Sequence, residues 1–287
     1  MPPNTDEVAQ RMITLTKHHG LGNDFLVTSD EIVDGPDTAR QLCDRRRGIG
    51  ADGLLLLGRP AAGAVVGAEP DCSEPATLTM VLFNADGSRA EMSGNGIRCL
   101  AQAAYRRDGH ADRATYLVVT DGGVRRVVVT PTDDATTVWV DVEMGRVTPL
   151  DEPAGWAGIG VDPMRPVMHL SLGNPHTVVA VDDVAAVALR ELGERVPHVN
   201  LEIVESGPER HEVTMRVHER GAGITEACGT GACATGWAAR HWGLVDPELQ
   251  EIMVRMPGGG ARVRFDAPRA GEVTLIGPAT YVGTVTM

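Results

Sequence analysis

The feature that most constrains this chain is a motif that occurs twice. Glu91-Met92-Ser93-Gly94-Asn95-Gly96 and Glu226-Ala227-Cys228-Gly229-Thr230-Gly231 share the pattern Glu-x-(Ser or Cys)-Gly-(Asn or Thr)-Gly. Each copy sets a small nucleophilic side chain against two glycines and then enters a run with helical spacing. After Ser93 the apolar positions Ile97, Leu100, Ala101, Ala104 and Tyr105 recur every three or four residues, which predicts a helix over 95–107. After Cys228 an Ala- and Trp-rich run predicts a second helix over 230–242, stopped by Gly243. Each motif thus offers the free N–H groups of a helix N-terminus, where an anion can bind.

The motifs lie about half a chain length apart, and their surroundings repeat as well. Strand-like runs are expected over 12–17, 25–28, 54–57, 78–83, 115–120, 124–130 and 137–142, with a short helix over 38–46. In the second half the corresponding runs are 166–172, 177–181, 201–204, 212–218, 252–256, 261–265, 273–276 and 279–286, with helical spacing over 185–194. The turn Gly22-Asn23 is echoed by Gly173-Asn174. A duplicated α+β unit facing its own copy follows from this plan. The expected halves are residues 1–133, joined by a returning strand at 279–287, and residues 134–278. The Ala-, Gly- and Pro-rich span 59–74 reads as a surface loop.

Composition removes several functions. Lys and Arg total 26 against 39 acids, for a net charge of −13, so no basic patch is available for nucleic acid or an anionic membrane. No apolar run approaches the roughly 20 residues of a membrane span. Five cysteines, Cys43, Cys72, Cys99, Cys228 and Cys233, include no Cys-x-x-Cys pair, which predicts a reducing, cytoplasmic setting and no zinc site. Aromatic residues make up only 3% of the chain, so the core must be built from Val, Leu, Ile, Ala and Met.

A thiol at a helix N-terminus is expected to ionise more readily than a free one. The neighbouring N–H groups can hold a carboxylate, which places the α-carbon beside the thiol. Two such ends facing across a cleft would put an acid/base on each face of that carbon, enough to invert it by proton transfer. Of the cysteines only Cys228 has this context. Asn23, Asn84, Asn95, Asn174 and Asn200 sit in or beside turns, and Glu219-Arg220 pairs opposite charges at a strand end; together they suit a small zwitterion. His176 and His218 read as structural first and as site residues second.

The residues resemble the diaminopimelate epimerase family, of the proline-racemase-like fold. The resemblance is carried by Gly22-Asn23-Asp24-Phe25, Gly48-Ile49-Gly50-Ala51-Asp52, Asn84-Ala85-Asp86-Gly87, Gly94-Asn95-Gly96, Gly173-Asn174-Pro175-His176, Glu219-Arg220-Gly221 and Ala227-Cys228-Gly229-Thr230-Gly231, in that order and over nearly the whole chain. It implies two similar domains, each a barrel-like, mostly antiparallel sheet around a central helix, with the last strand crossing back to the first domain. It implies conversion of LL-2,6-diaminopimelate to the meso form in lysine and peptidoglycan biosynthesis, with no cofactor or metal, by a homodimer. It assigns substrate binding to Asn23, Asn84, Asn174, Asn200, Glu219 and Arg220, with Gly94-Asn95 and Gly229-Thr230 holding the reacting carboxylate. Cys228 matches one catalytic cysteine, and Ser93 stands where the other is expected. A hydroxyl is a far weaker acid than a thiol, so a rate loss of ~100-fold or more is expected. Ser93 leaves open an introduced substitution, a variant that still epimerises with help from water or a neighbour, or another function. The last includes a one-base amino-acid dehydratase or racemase and a catalytically weak amino-acid-binding protein.

Overall fold

A computed structural model describes residues 12–60, 75–265 and 271–287. The expectations for the N-terminal segment, for most of the 59–74 loop and for Cys72 fall outside these residues.

The first half runs β1 (Thr14–Gly20), β2 (Asn23–Thr28), α1 (Gly35–Cys43), β3 (Gly53–Gly58), β4 (Ala76–Asn84), β5 (Arg89–Ala90), α2 (Gly94–Arg107), β6 (Ala114–Thr120) and β7 (Gly123–Pro131), and β8 (Thr137–Arg146) follows at the join of the halves. The second half begins with the two-residue β9 (Thr148–Pro149), β10 (Val167–Ser171), β11 (Pro175–Ala180), α3 (Leu189–Arg195), β12 (Asn200–Ser206), β13 (Glu212–Glu219) and β14 (Gly223–Thr225). It ends with α4 (Gly229–Trp242), β15 (Glu251–Met256), β16 (Gly259–Phe265) and β17 (Glu272–Thr286).

The repeat is explicit in the strand pairing. β2 runs parallel to β3 and β4 parallel to β6; in the second half β11 runs parallel to β12 and β13 parallel to β15. The other pairings are antiparallel. The first barrel closes as β1-β2-β3-β4-β6-β7-β8-β17-β1. The second follows β10-β11-β12-β13-β15-β16-β17-β8, and β9 continues β8 back onto β10. The two barrels therefore share β8 and β17.

Each barrel is wound on one helix. In α2 every residue from Gly94 to Tyr105 is buried, and in α4 every residue from Gly229 to Gly236. A helix buried on all sides must be apolar or small, and α4 meets this with Ala, Gly, Thr and Cys. Ile97, Leu100, Ala101 and Ala104 are fully buried in the same core as Val127, Val129, Val140 and Val142 of the surrounding strands. Truncating Leu100 to Ala there would cost about 2–5 kcal/mol.

Four local expectations are corrected. β1 and β2 extend further than read, because the turn is confined to Leu21 (φ 56°) and Gly22 (φ 85°). The α1 helix starts and ends three residues earlier than its spacing suggested. Asp34 caps it by accepting the Asp37 N–H (3.0 Å), and Asp44 ends it by accepting the N–H groups of Arg46 and Arg47. The 185–194 segment splits into a 3-10 turn at Val184–Ala186 and α3, because Val187 between them is extended. The last two strand-like runs form one strand, β17. Its start pairs with β16, its end pairs with β1, and β8 spans the join through Gly277 and Pro278.

Candidate active site

Ser93 and Cys228 are the N-caps of the two barrel helices, in nearly the same backbone conformation (φ −141°, ψ 122° and φ −128°, ψ 115°). Ser93 Oγ accepts the Gly96 N–H at 3.0 Å, and Cys228 Sγ accepts the Gly231 N–H at 3.3 Å. The helices abut at their first residues. A Cβ on Gly94 would lie 3.0 Å from Gly229 Cα, and one on Gly229 would lie 2.9 Å from Gly94 Cα. Only glycine at both positions allows this approach.

The remaining first-turn N–H groups, those of Gly94, Asn95, Gly229 and Thr230, have no backbone or side-chain acceptor among the described residues. Two helices contribute two each. Asn95 locks the arrangement, because its Nδ2 donates to Ala227 O and to Asn23 Oδ1, both at 3.1 Å. Across the cleft Asn174 Nδ2 donates to Thr230 Oγ1 at 3.3 Å.

Ser93, Cys228 and every residue singled out for substrate binding line one cleft of about 950 Å³. Asn23 opens β2 and donates to Asp52 Oδ2 at 2.7 Å; Asn84 closes β4 and donates to Ser88 Oγ at 3.0 Å. From the second half, Asn200 opens β12 and receives the Arg220 N–H at 2.9 Å, fixing the end of β13 that carries Glu219. Arg220 is exposed to the cleft. His176 lies one layer behind Asn174, bonded to Asn174 Oδ1 (3.1 Å) and to Glu202 Oε1 (2.7 Å). His218 packs on Gly193 of α3 and does not line the cleft.

The electrostatics overturn one expectation. The thiol of Cys228 is pushed well above its ordinary range, because burial and then the carboxylates of Glu219 and Glu202 disfavour its charge; the Thr230 hydroxyl and Gly231 N–H oppose this only in part. The helix terminus is present, but burial outweighs it. Burial also raises Glu219, against hydrogen bonds from Thr225 and from Cys228 itself, and raises Glu202 against His176. The thiol thus rests protonated beside a carboxyl group able to receive its proton. Burial pushes Cys99 and Cys233 up to about 12 and Cys43 up to about 11, which leaves them inert packing residues.

Sequence reasoning passed over several residues. Arg45 reaches the cleft and is held by Asp24 and Asp52 (both 2.7 Å), and Asp52 sits in a glycine-flanked turn that the sequence displays. Arg125 lines the cleft with its guanidinium folded back onto Gly122 O (2.9 Å). Glu202 could have been flagged as a lone charge in the apolar run Leu201–Val204.

Twin barrels whose helices start at one cleft define a fold shared with several solved structures. A hydroxyproline epimerase from Agrobacterium vitis, solved with trans-4-hydroxy-L-proline, superposes with a TM-score of 0.62 at 16% identity, over 97% of this chain and 91% of that one. The sequence pattern of the diaminopimelate epimerase family matches residues 15–150 and 168–282. Diaminopimelate epimerase of Synechococcus elongatus is 36% identical, over 94% of this chain and 96% of its own. That of Synechocystis is 38% identical, over 94% and 97%. The chain belongs to the diaminopimelate epimerase family, a family of isomerases.

Proposed function

We propose that the chain epimerises LL-2,6-diaminopimelate to the meso form, in lysine and peptidoglycan biosynthesis, by moving a proton on and off opposite faces of one α-carbon. The observation that carries this reading is the meeting of two capped helix N-termini at Gly94 and Gly229. A carboxylate has about four acceptor positions, and the cleft offers the four free N–H groups of Gly94, Asn95, Gly229 and Thr230. With the carboxylate seated there, its α-carbon lies between the caps. Glu219, Arg220, Asn23, Asn84, Asn174 and Asn200 surround the remaining polar groups of the substrate.

In this mechanism Cys228 passes its proton to Glu219 when it acts as base and gives a proton to the carbanion when it acts as acid. Ser93 serves the other face with a hydroxyl. Removal of the α-proton sends the C–H electron pair into the carboxylate, and a proton delivered from the opposite face completes inversion. The weak partner slows both directions equally and leaves the equilibrium unchanged. The reading carries with it a cytoplasmic homodimer whose only partner besides its own copy is the small substrate, and halves divided at 133/134 with 279–287 returning to the first.

The test is α-proton exchange of LL-diaminopimelate in deuterated water followed by NMR. Exchange with inversion is expected. Loss of water from a β-hydroxy amino acid, with diaminopimelate left untouched, would mark a dehydratase, and binding of diaminopimelate without exchange would reduce the protein to a receptor for the amino acid.

A further inference from the structure

Arg98, one turn into α2, has a fully buried side chain and no carboxylate partner among the described residues. Its three hydrogen bonds end on neutral oxygens: Nη1 donates to Gly94 O (3.1 Å), Nη2 to Asn95 Oδ1 (2.7 Å) and Nε to Pro278 O (3.2 Å). The space is made for this head group. A Cβ on Gly20 would come within 2.9 Å of Nη2, and one on Gly277 within 3.0 Å of Cζ. Burial lowers the guanidinium only to about 10, so it stays charged at neutral pH. A buried charge without a counter-ion is strongly unfavourable unless something compensates it.

The bonds show where compensation belongs. Gly94 and Asn95 line the cleft and carry two of its four free N–H groups, and Asn95 passes the contact on to Ala227 O, next to Cys228. The cation stands directly behind the seat shared by both helices. We propose that Arg98 is the fixed counter-charge of that seat, a positioning residue whose missing anion is the reacting carboxylate of the substrate. The inference rests on the seat described above. Loss of the α-proton to the acid/base on one face puts a second negative charge on the carboxylate, as an ene-diolate, and return of a proton to the other face removes it. Arg98 therefore counts for more at the transition state than in the ground state.

The test uses the full chain with formate as a bare carboxylate and formamide as its neutral analogue, read at the amide NMR signals of Gly94, Asn95, Gly229 and Thr230. Formate is expected to shift these signals saturably and formamide to leave them unmoved. Arg98→Lys, which keeps the charge, should bind formate within about threefold of wild type, and Arg98→Gln, which keeps donors without charge, about tenfold or more weaker. On diaminopimelate, Arg98→Gln should lose more in kcat than it gains in KM. Equal formate affinity in Arg98→Gln, equal loss in both variants, or no preference for formate over formamide in wild type would each overturn the assignment. Arg98→Met is the neutral variant if Arg98→Gln does not fold. Formate binding without diaminopimelate turnover would strike the substrate reading and leave Arg98 its role.

Discussion

At the start of α2 the capping hydroxyl of Ser93 receives one N–H, from Gly96, and no described side chain takes its proton. At the start of α4 the thiol of Cys228 receives the equivalent N–H from Gly231 but also contacts Thr230 and Glu219, with the buried Glu202–His176 pair behind. The backbones are superimposable in conformation, and the surrounding chemistry differs. The geometry occurs twice, while an acidic partner stands, among the described residues, on the Cys228 side alone. The two members of the proposed acid/base pair therefore differ in the neighbouring proton acceptor more than in the helices themselves.

The largest effect expected from breaking this asymmetry is at Cys228. Cys228→Ala should abolish α-proton exchange, a loss of roughly 10²–10⁴-fold in rate, and activity retained within a few-fold would show that Ser93 needs no thiol opposite. Supplying the missing thiol sharpens the comparison from the other side. Ser93→Cys should raise the epimerisation rate by about 100-fold, and no gain would remove Ser93 from proton transfer. Gly94→Ala tests whether the helix starts must touch. The added Cβ would sit 3.0 Å from Gly229 Cα, and parting the two seats should lower kcat/KM by about 10–100-fold. Because burial and two carboxylates push the Cys228 thiol upward, kcat/KM should keep rising with pH through 9; a plateau below pH 8 would mean an easily ionised thiol.

The smallest effect concerns the pair behind Cys228. Burial raises Glu202 above the usual carboxylate range, so its stability contribution is full below its unfolded pKa and lost as pH rises through the folded one. Glu202→Gln mimics the protonated acid. It should raise Tm by a few degrees at pH 8 and by less at pH 5, and a gain independent of pH would contradict the assignment.

Much of this was legible in the chain. The paired Gly-x-Gly motifs, the helices behind them and the Asn turns identified the cleft residues, because backbone approach and turn geometry leave strong marks on residue type. Burial depth leaves none. The depression of a thiol by a helix terminus can be read from Cys228-Gly229-Thr230, but the outweighing effect of burial, with Glu219 and Glu202 adding to it, depends on strands β12 and β13 lying beside α4. Arg98 stands two residues after the first motif in plain view, and its isolation from any described carboxylate appears only when Gly20, Gly277 and Pro278 close around it. The single β17 was hidden by Gly277-Pro278, which reads as a strand break unless partners on both sides are known.

The central claim is that Ser93 and Cys228 serve opposite faces of one α-carbon. It is tested most directly by letting LL-diaminopimelate react in deuterated water and locating the label early in the reaction, in wild type and in Ser93→Cys. Two single-proton donors on opposite faces predict deuterium at the inverted carbon of the meso product and almost none in the remaining LL substrate. Deuterium returning to the LL substrate as fast as it enters the product would mean one group serving both faces, and would contradict the claim.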